Sequence, residues 1–304
     1  MKNRLPVWLR QDIPDQRTLK EVKAVLALEV NTVCSHAKCP NICDCFKRRQ
    51  LTFMILGDTC TRACSFCAVR KSQDSNLYVD PKEPEKIVRI ISDFGLRYAV
   101  ITSVTRDDLD DGGAGQFARV INAIRDFDKD IRIEALIPDF SGNVSGLESV
   151  VAAGPDVLAH NIETVKRLYS FVRPGADYER SLQILSEAKK IDPGIITKSS
   201  LMLGLGERED EVIEAVRELR DVDCDMLTLG QYLSPSKAHY PVQEFISPEQ
   251  FGRYKMIALD SGIRSVLSGP LVRSSYKAEE LFQLHSGIVH AVQSRNVIRK
   301  RIDV

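Results

Sequence analysis

The stretch Leu51-Thr52-Phe53-Met54-Ile55-Leu56-Gly57-Asp58-Thr59-Cys60-Thr61-Arg62-Ala63-Cys64-Ser65-Phe66-Cys67 decides how this chain is read. Leu51–Leu56 is a short apolar run, the mark of a strand buried on both faces. Three cysteines follow it at once, on what must be the loop after that strand. The same grammar repeats downstream. Apolar runs at Tyr98–Thr102, Ile131–Ile137, Asp156–Ala159, Ile195–Leu203 and Met226–Leu229 read as further strands. Amphipathic stretches at Pro84–Phe94, Gly115–Phe127, Leu147–Ala153, Tyr178–Lys190, Glu207–Arg220 and Pro248–Ser261 read as helices between and after them.

Strand–helix alternation implies βαβ units and a parallel sheet. Six units predict an α/β fold, a partial (β/α)6 barrel of TIM type. The boundaries fall at 1–50 for an N-terminal extension, 51–265 for the barrel and 266–304 for a C-terminal extension, with a terminal helix over 276–292. The unusual residues cluster just after the predicted strands: Cys60–Cys67, Thr102–Asp108, Pro138-Asp139, His160-Asn161, Gly204–Glu207 and Gln231-Tyr232. In a parallel barrel all of these open on one face, where active sites lie.

Composition narrows the class. Of 304 residues 43% are hydrophobic, enough for a large core. Lys plus Arg equals Asp plus Glu, 42 each, so nothing favours nucleic acid or charge-driven membrane binding. No apolar run approaches a membrane span. Met1–Gln11 is short and polar and lacks the apolar stretch of a secretory signal, so a cytoplasmic location is expected. Seven of the eight cysteines lie between Cys34 and Cys67. In a reducing compartment such a cluster points to metal binding or redox work, not to disulfides.

Cys60, Cys64 and Cys67 form C-x3-C-x2-C. Three thiolates so close can hold one soft metal centre. A four-iron cluster held by three cysteines leaves one iron open for a ligand, as a catalytic zinc keeps a free position. Zinc, or a Cys64–Cys67 redox pair, are the alternatives; the pair leaves Cys60 without a role. Cys34, Cys39 and Cys45 form a second group, C-x4-C-x5-C, with Cys43 among them. Spacing alone does not choose three of the four, nor iron–sulfur over zinc.

Cys60-x3-Cys64-x-Phe66-Cys67 resembles the motif of the radical S-adenosylmethionine (SAM) superfamily. The segment Thr32–Cys45 resembles the auxiliary-cluster segment of the lipoyl synthase family, and Arg273-Ser274-Ser275-Tyr276 resembles that family's RSSY motif. The resemblance runs from about Arg17 to Ala278. It includes Thr102–Gly113, Glu134–Asp139, His160–Val165, Lys198–Glu207 and Leu227–Val242 and departs at Ser200, where glycine is commoner. It implies two [4Fe–4S] clusters. One, on Cys60, Cys64 and Cys67, binds SAM. The other, an auxiliary cluster on Cys34, Cys39, Cys45 and Ser275, is carried by the two extensions. Cys43 is extra to that ligand set. Without the resemblance, Ser275 reads as the N-cap of a helix starting near Tyr276.

The implied activity is insertion of two sulfur atoms at carbons 6 and 8 of an octanoyl chain amide-linked to a carrier lysine, with the auxiliary cluster consumed. A radical generated from SAM can remove hydrogen from an unactivated carbon, which no side-chain acid or base can do. The implied partners are octanoylated carrier domains of the glycine cleavage H protein or 2-oxoacid dehydrogenase E2 type, a ferredoxin or flavodoxin as electron donor, and a cluster-carrier protein. Another two-cluster sulfur-inserting radical SAM enzyme, such as a methylthiotransferase, would call for a nucleic-acid-binding module, and no basic module is evident. An iron–sulfur electron carrier needs no substrate cavity. A zinc-braced structural protein predicts zinc without iron.

Phe66, Asn161, Arg173, Gly204, Gly206 and Glu207 are candidate cofactor-binding residues, and Lys198 a candidate contact to cofactor or substrate. Arg106 is a candidate for a carboxylate or carbonyl. The acidic run Asp107, Asp108, Asp110, Asp111 fails the calcium-loop pattern because Leu109 occupies a ligand position. Gly204-Leu205-Gly206-Glu207 lacks the third glycine of a dinucleotide fingerprint. The five histidines share no metal-ligand spacing, and Cys224 reads as a small buried apolar residue.

Overall fold

A computed structural model describes residues 5–10, 16, 30–36, 39–72 and 77–287. The strands are β1 (Thr52–Ile55), β2 (Thr59–Cys60), β3 (Arg70–Lys71), β4 (Tyr98–Ser103), β5 (Arg132–Leu136), β6 (Val157–Ala159), β7 (Ile196–Leu203), β8 (Met226–Gln231) and β9 (Ser265–Gly269). The helices are α1 (Val33–His36), α2 (Ile42–Lys47), α3 (Glu83–Phe94), α4 (Ala114–Phe127), α5 (Val144–Ala152), α6 (Tyr169–Val172), α7 (Tyr178–Ile191), α8 (Glu209–Asp221), α9 (Pro248–Asp260) and α10 (Ala278–His285). Seven strands make one sheet in the order β1-β4-β5-β6-β7-β8-β9, every pairing parallel.

The partial α/β barrel is as expected, with one strand more than six. The seventh, β9, crosses the point where the barrel was expected to give way to its C-terminal extension. The expected terminal helix is α10, within 278–285; residues beyond 287 lie outside the described residues.

Alternation along the strands sorts inside from outside. Phe53, Ile55, Ala99, Ile101, Ile133, Ala135 and Leu158 turn outward and pack under α3, α4 and α5. Leu201, Leu203, Leu227, Leu229 and Val266 do the same under α8 and α9. Each of the Phe, Ile, Leu and Val side chains contributes about 1.5–3 kcal/mol when fully buried. Local chemistry sets the helix ends. Asn143, Asp177 and Ser247 accept from the amides of Gly146, Arg180 and Gln250 as N-caps, and Gly95 closes α3 in a left-handed conformation.

The other face of the strands lines the interior. Tyr98, Val100, Val157 and Met226 meet Ala278, Leu281 and Phe282 of α10, so the C-terminal helix packs onto interior strand residues. Level with this apolar layer in the strand register lies a buried ion pair. Lys198 Nζ donates to Glu134 Oε1 and Oε2 at 2.7 and 2.9 Å, and Tyr98 OH donates to Oε2 at 2.9 Å. Lys198 is thereby committed to the fold, which corrects its reading as a cofactor or substrate contact. Among the described residues no helix is long and apolar enough to cross a membrane.

Removing one partner of a buried pair leaves a bare charge. Lys198→Met is expected to lower the unfolding free energy of the cluster-free protein by about 3–5 kcal/mol in urea titrations. The double variant Lys198→Met/Glu134→Leu is expected to recover most of that loss.

Candidate active site

The cysteine loop is tied to several barrel units at once. The Thr105 amide donates to Cys60 Sγ at 3.3 Å, and the Thr61 amide to Thr105 O at 3.0 Å. Ser65 donates its amide to Val172 O and its hydroxyl to Phe171 O, while the Tyr240 amide donates to Ser65 O. Arg62, between the first two cysteines, donates to both oxygens of Asp107 at 2.7 and 2.8 Å and to Asp139 at 2.6 Å. Asp139 is fully buried. Burial pushes its carboxyl up, but Arg62 outweighs burial and holds it below the usual carboxylate range.

Sequence reading missed Arg62, because its partners stand on two other loops. It overrated Arg106. That side chain is fully buried, paired with Asp108 through two contacts of 2.7 Å, and bonded to the carbonyls of Leu56 and Leu77, so it is not available to a ligand. The acidic run is internal bracing: Asp107 serves Arg62, Asp108 serves Arg106, and Asp111 accepts from the Gly113 and Gly115 amides.

A cavity of about 380 Å³ opens at the C-terminal ends of the strands, bordered by Phe66, Cys67, Asn161, Glu163, Met202 and Tyr232 among others. Phe66 and Asn161, two of the candidate cofactor-binding residues, both border it. The Asn161 amide nitrogen donates to Glu163 at 2.9 Å, while its Oδ1 is buried with no protein partner, as suits an acceptor kept for a ligand. Glu163 was not singled out in sequence. Its backbone sits at φ 64, held by the Ser200 carbonyl and the Met202 amide of β7. Non-glycine residues in that region persist only where their surroundings fix them, and they gather at functional sites.

Arg173 does not border this cavity. It supports the loop from behind, donating to Asn161 O and Tyr169 OH at 2.9 and 2.8 Å. Gly204, Gly206 and Glu207 do not border it either. Glu207 folds back to accept from the Gly204 and Leu205 amides, and a Cβ at Gly204 would meet Gln231 and the Glu244 carbonyl at 2.3 Å. These glycines let their own loop close, which is the strand-to-helix turn.

His160 is buried with Nδ1 on the Ile137 carbonyl, and burial pushes its pKa down to about 4. Its Nε2 has no protein partner. His36 and His239 bond locally to Ser35 and Ser236; His290 lies outside the described residues. Cys224 is buried, as expected.

A second cavity lies beside the first. Cys34, Cys39, Cys45 and Ser275 all border it; Cys43 does not. Burial pushes Cys34 up to about 11 and raises Cys39 and Cys45, with neighbouring thiols adding to the rise at Cys34 and Cys45. Cys64 and Cys67 are raised by burial too, Cys67 to about 11. Such thiols stay protonated until a metal displaces the proton. Ser275 caps no helix, since the N-cap of α10 is Lys277, with no side-chain bond. The two extensions meet directly. Asn41 donates to Leu271 O at 2.6 Å, Tyr276 OH to Asp44 at 2.9 Å and Arg48 to Glu280 at 2.7 Å.

The radical SAM superfamily model matches residues 54–219. The lipoyl synthase of Caldicellulosiruptor saccharolyticus is 52% identical over 281 residues, covering 92% of this chain and 98% of that protein. The lipoyl synthase of Alkaliphilus metalliredigens is 50% identical over 283 residues, covering 93% and 97%. The chain belongs to the lipoyl synthase family. As a lipoyl synthase homologue it is a sulfur-inserting enzyme of the radical SAM superfamily, whose cofactors are SAM and a [4Fe–4S] cluster. The fold agrees: the hydrogenase maturase HydG from Carboxydothermus hydrogenoformans superposes with a TM-score of 0.58 at 14% identity, covering 70% of this chain and 52% of that one.

Asp139 gives the lipoyl synthase fold a pH signature. Its depressed carboxyl makes the Arg62 pair fully stabilising above the unfolded value of about 3.9, and that contribution is lost as pH falls through the lower folded value. Arg62→Gln is expected to destabilise cluster-free protein by about 3–5 kcal/mol at pH 7. The gap should narrow below about pH 4, where Asp139 of the variant protonates. Chemical unfolding at the two pH values measures it.

Proposed function

We propose that this enzyme makes the lipoyl group in place on a carrier protein. Two sulfur atoms enter at carbons 6 and 8 of an octanoyl chain bound to a carrier lysine, and an auxiliary cluster is the sulfur source. The observation that carries this reading is that Cys34, Cys39, Cys45 and Ser275 border one cavity that adjoins the cavity beside Cys67. An electron carrier would need no such paired chambers. Among the described residues no three His, Cys, Asp or Glu side chains converge as ligands of a single metal ion.

Cys60, Cys64 and Cys67 would hold the reducing cluster and leave one iron open. When bound there, SAM supplies the radical that removes hydrogen from the alkyl chain. Asn161 and Glu163 offer polar atoms to that cofactor, and Phe66 an aromatic face. Met202, Tyr232, Leu233 and Val272 give the same cavity an apolar wall for an alkyl chain that has no polar handle. Enclosure does two things: it fixes the reacting carbon, and it keeps water and other hydrogen donors from the radical. Cys34, Cys39, Cys45 and Ser275 would hold the auxiliary cluster, which is a substrate, since its sulfide leaves in the product. Serine oxygen is a harder ligand than thiolate, so the iron on Ser275 should leave first. Octanoylated domains of the H protein or E2 type, a ferredoxin or flavodoxin, and a cluster carrier complete the expected partners, in the cytoplasm.

Anaerobically reconstituted enzyme with reductant, SAM and an octanoyl-lysine peptide is expected to give 5′-deoxyadenosine and a peptide that has gained two sulfurs and lost two hydrogens. Cys34→Ala/Cys39→Ala/Cys45→Ala should still form 5′-deoxyadenosine but insert no sulfur. Cys43→Ala should do both reactions. Absence of both products from an enzyme holding intact clusters would contradict the assignment.

A further inference from the structure

The two cavities share Val33, Cys39, Arg273 and Ser275 as lining. Arg273 is the one cationic side chain bordering either of them among the described residues. Arg62 and Arg106 are each engaged by carboxylates, but Arg273 has no such partner among the described residues. Among the described residues its guanidinium donates one hydrogen bond, from Nη1 to the adjacent Val272 carbonyl at 2.7 Å. A guanidinium has five N–H donors, so most of its capacity is left for whatever fills the cavities. The carboxylate bordering the cysteine cavity, Glu279, adds charge of the wrong sign for an anionic occupant.

The position of Arg273 is built in. A Cβ at Gly230 would stand 2.0 Å from the Val272 carbonyl oxygen and 3.6 Å from Arg273 Nη1. Glycine at that point of β8 lets the C-terminal segment lie against the strand, and so puts the guanidinium between the chambers. Sequence reading had given Arg273 no role apart from its place in the motif around Ser275.

We propose that Arg273 is the counter-charge of the auxiliary cluster. This rests on the two-cluster reading above. Three thiolates and one serine oxygen around a doubly positive iron–sulfur core leave two net negative charges in a mostly apolar chamber. Taking such a charge out of water is costly unless a fixed opposite charge or donors meet it. The guanidinium supplies both. Adding an electron increases the negative charge, so a fixed cation beside the cluster also makes its reduction easier. Arg273 acts on the cluster's charge and position and takes no part in bond making.

The test uses the full-length chain with Cys60, Cys64 and Cys67 changed to alanine, so that only the auxiliary cluster remains, and follows its reduction by electron paramagnetic resonance. In that background Arg273→Gln is expected to make one-electron reduction at least tenfold less favourable, a potential lower by about 59 mV or more. Arg273→Lys should fall between the two. An unchanged potential in an Arg273→Gln protein still carrying four irons would overturn the proposal. If Arg273→Gln cannot hold the cluster, Arg273→Lys decides: retention supports a charge role, and equal loss overturns it. In the intact enzyme, a raised KM for SAM with no shift of the auxiliary potential would assign Arg273 to the SAM carboxylate and also overturn it. Failure of the parent protein to bind four irons would instead sink the two-cluster reading.

Discussion

The close approach of the Val272 carbonyl to Gly230 is the constraint on which the rest of this architecture depends. The barrel by itself supplies a cysteine loop, a polar rim and an interior. It does not supply the cavity bordered by Cys34, Cys39, Cys45 and Ser275. That cavity exists because a chain segment some forty residues past β8 returns to that strand at its one glycine-sized gap. The return sets Arg273 and Ser275 between the chambers and sends α10 on to Tyr98, Val100, Val157 and Met226. The N-terminal segment is then held by the C-terminal one through Asn41, Asp44 and Arg48. The Asn41 and Tyr276 bonds are part-buried, whereas the Arg48–Glu280 pair is exposed, and such pairs contribute little, about 0–1 kcal/mol.

A second consequence concerns the cysteine loop. Its shape is fixed by the surrounding protein. Arg62 fixes its middle through two carboxylates on two different loops, and Ser65 fixes its end to Val172 and Tyr240. Preorganisation of this kind would let the three thiols meet a cluster without further ordering cost.

Much of this was legible in the sequence because it rests on local pattern. Apolar runs of strand length found six of the seven barrel strands, and thiol spacing marked two cysteine groups, while the choice of Cys34, Cys39 and Cys45 and the addition of Ser275 came from the family resemblance. β9 escaped because Ser265-Val266-Leu267-Ser268-Gly269 has only two large apolar residues. Arg62, Glu163 and Gly230 escaped for another reason: their roles are defined by partners far away in sequence, on other loops or on the returning tail. The errors had the same origin. Arg106, Lys198 and the Gly204–Glu207 loop carry the residue types of binding sites, but each is satisfied internally by Asp108, by Glu134, and by Glu207 with the loop's own amides. Residue type suggests chemistry; only the partner list says whether the group is free to perform it.

The proposed function requires the chamber of Cys34, Cys39, Cys45 and Ser275 to hold sulfur destined for the product. The most direct measurement rebuilds both clusters with heavy-isotope sulfide, removes free sulfide, and runs a single turnover on an octanoyl-lysine peptide with unlabelled SAM. The account predicts a lipoyl product carrying two heavy sulfur atoms, with loss of the auxiliary cluster and retention of the cluster on Cys60, Cys64 and Cys67. A product whose sulfur is unlabelled, formed while the auxiliary cluster stays intact, would contradict it.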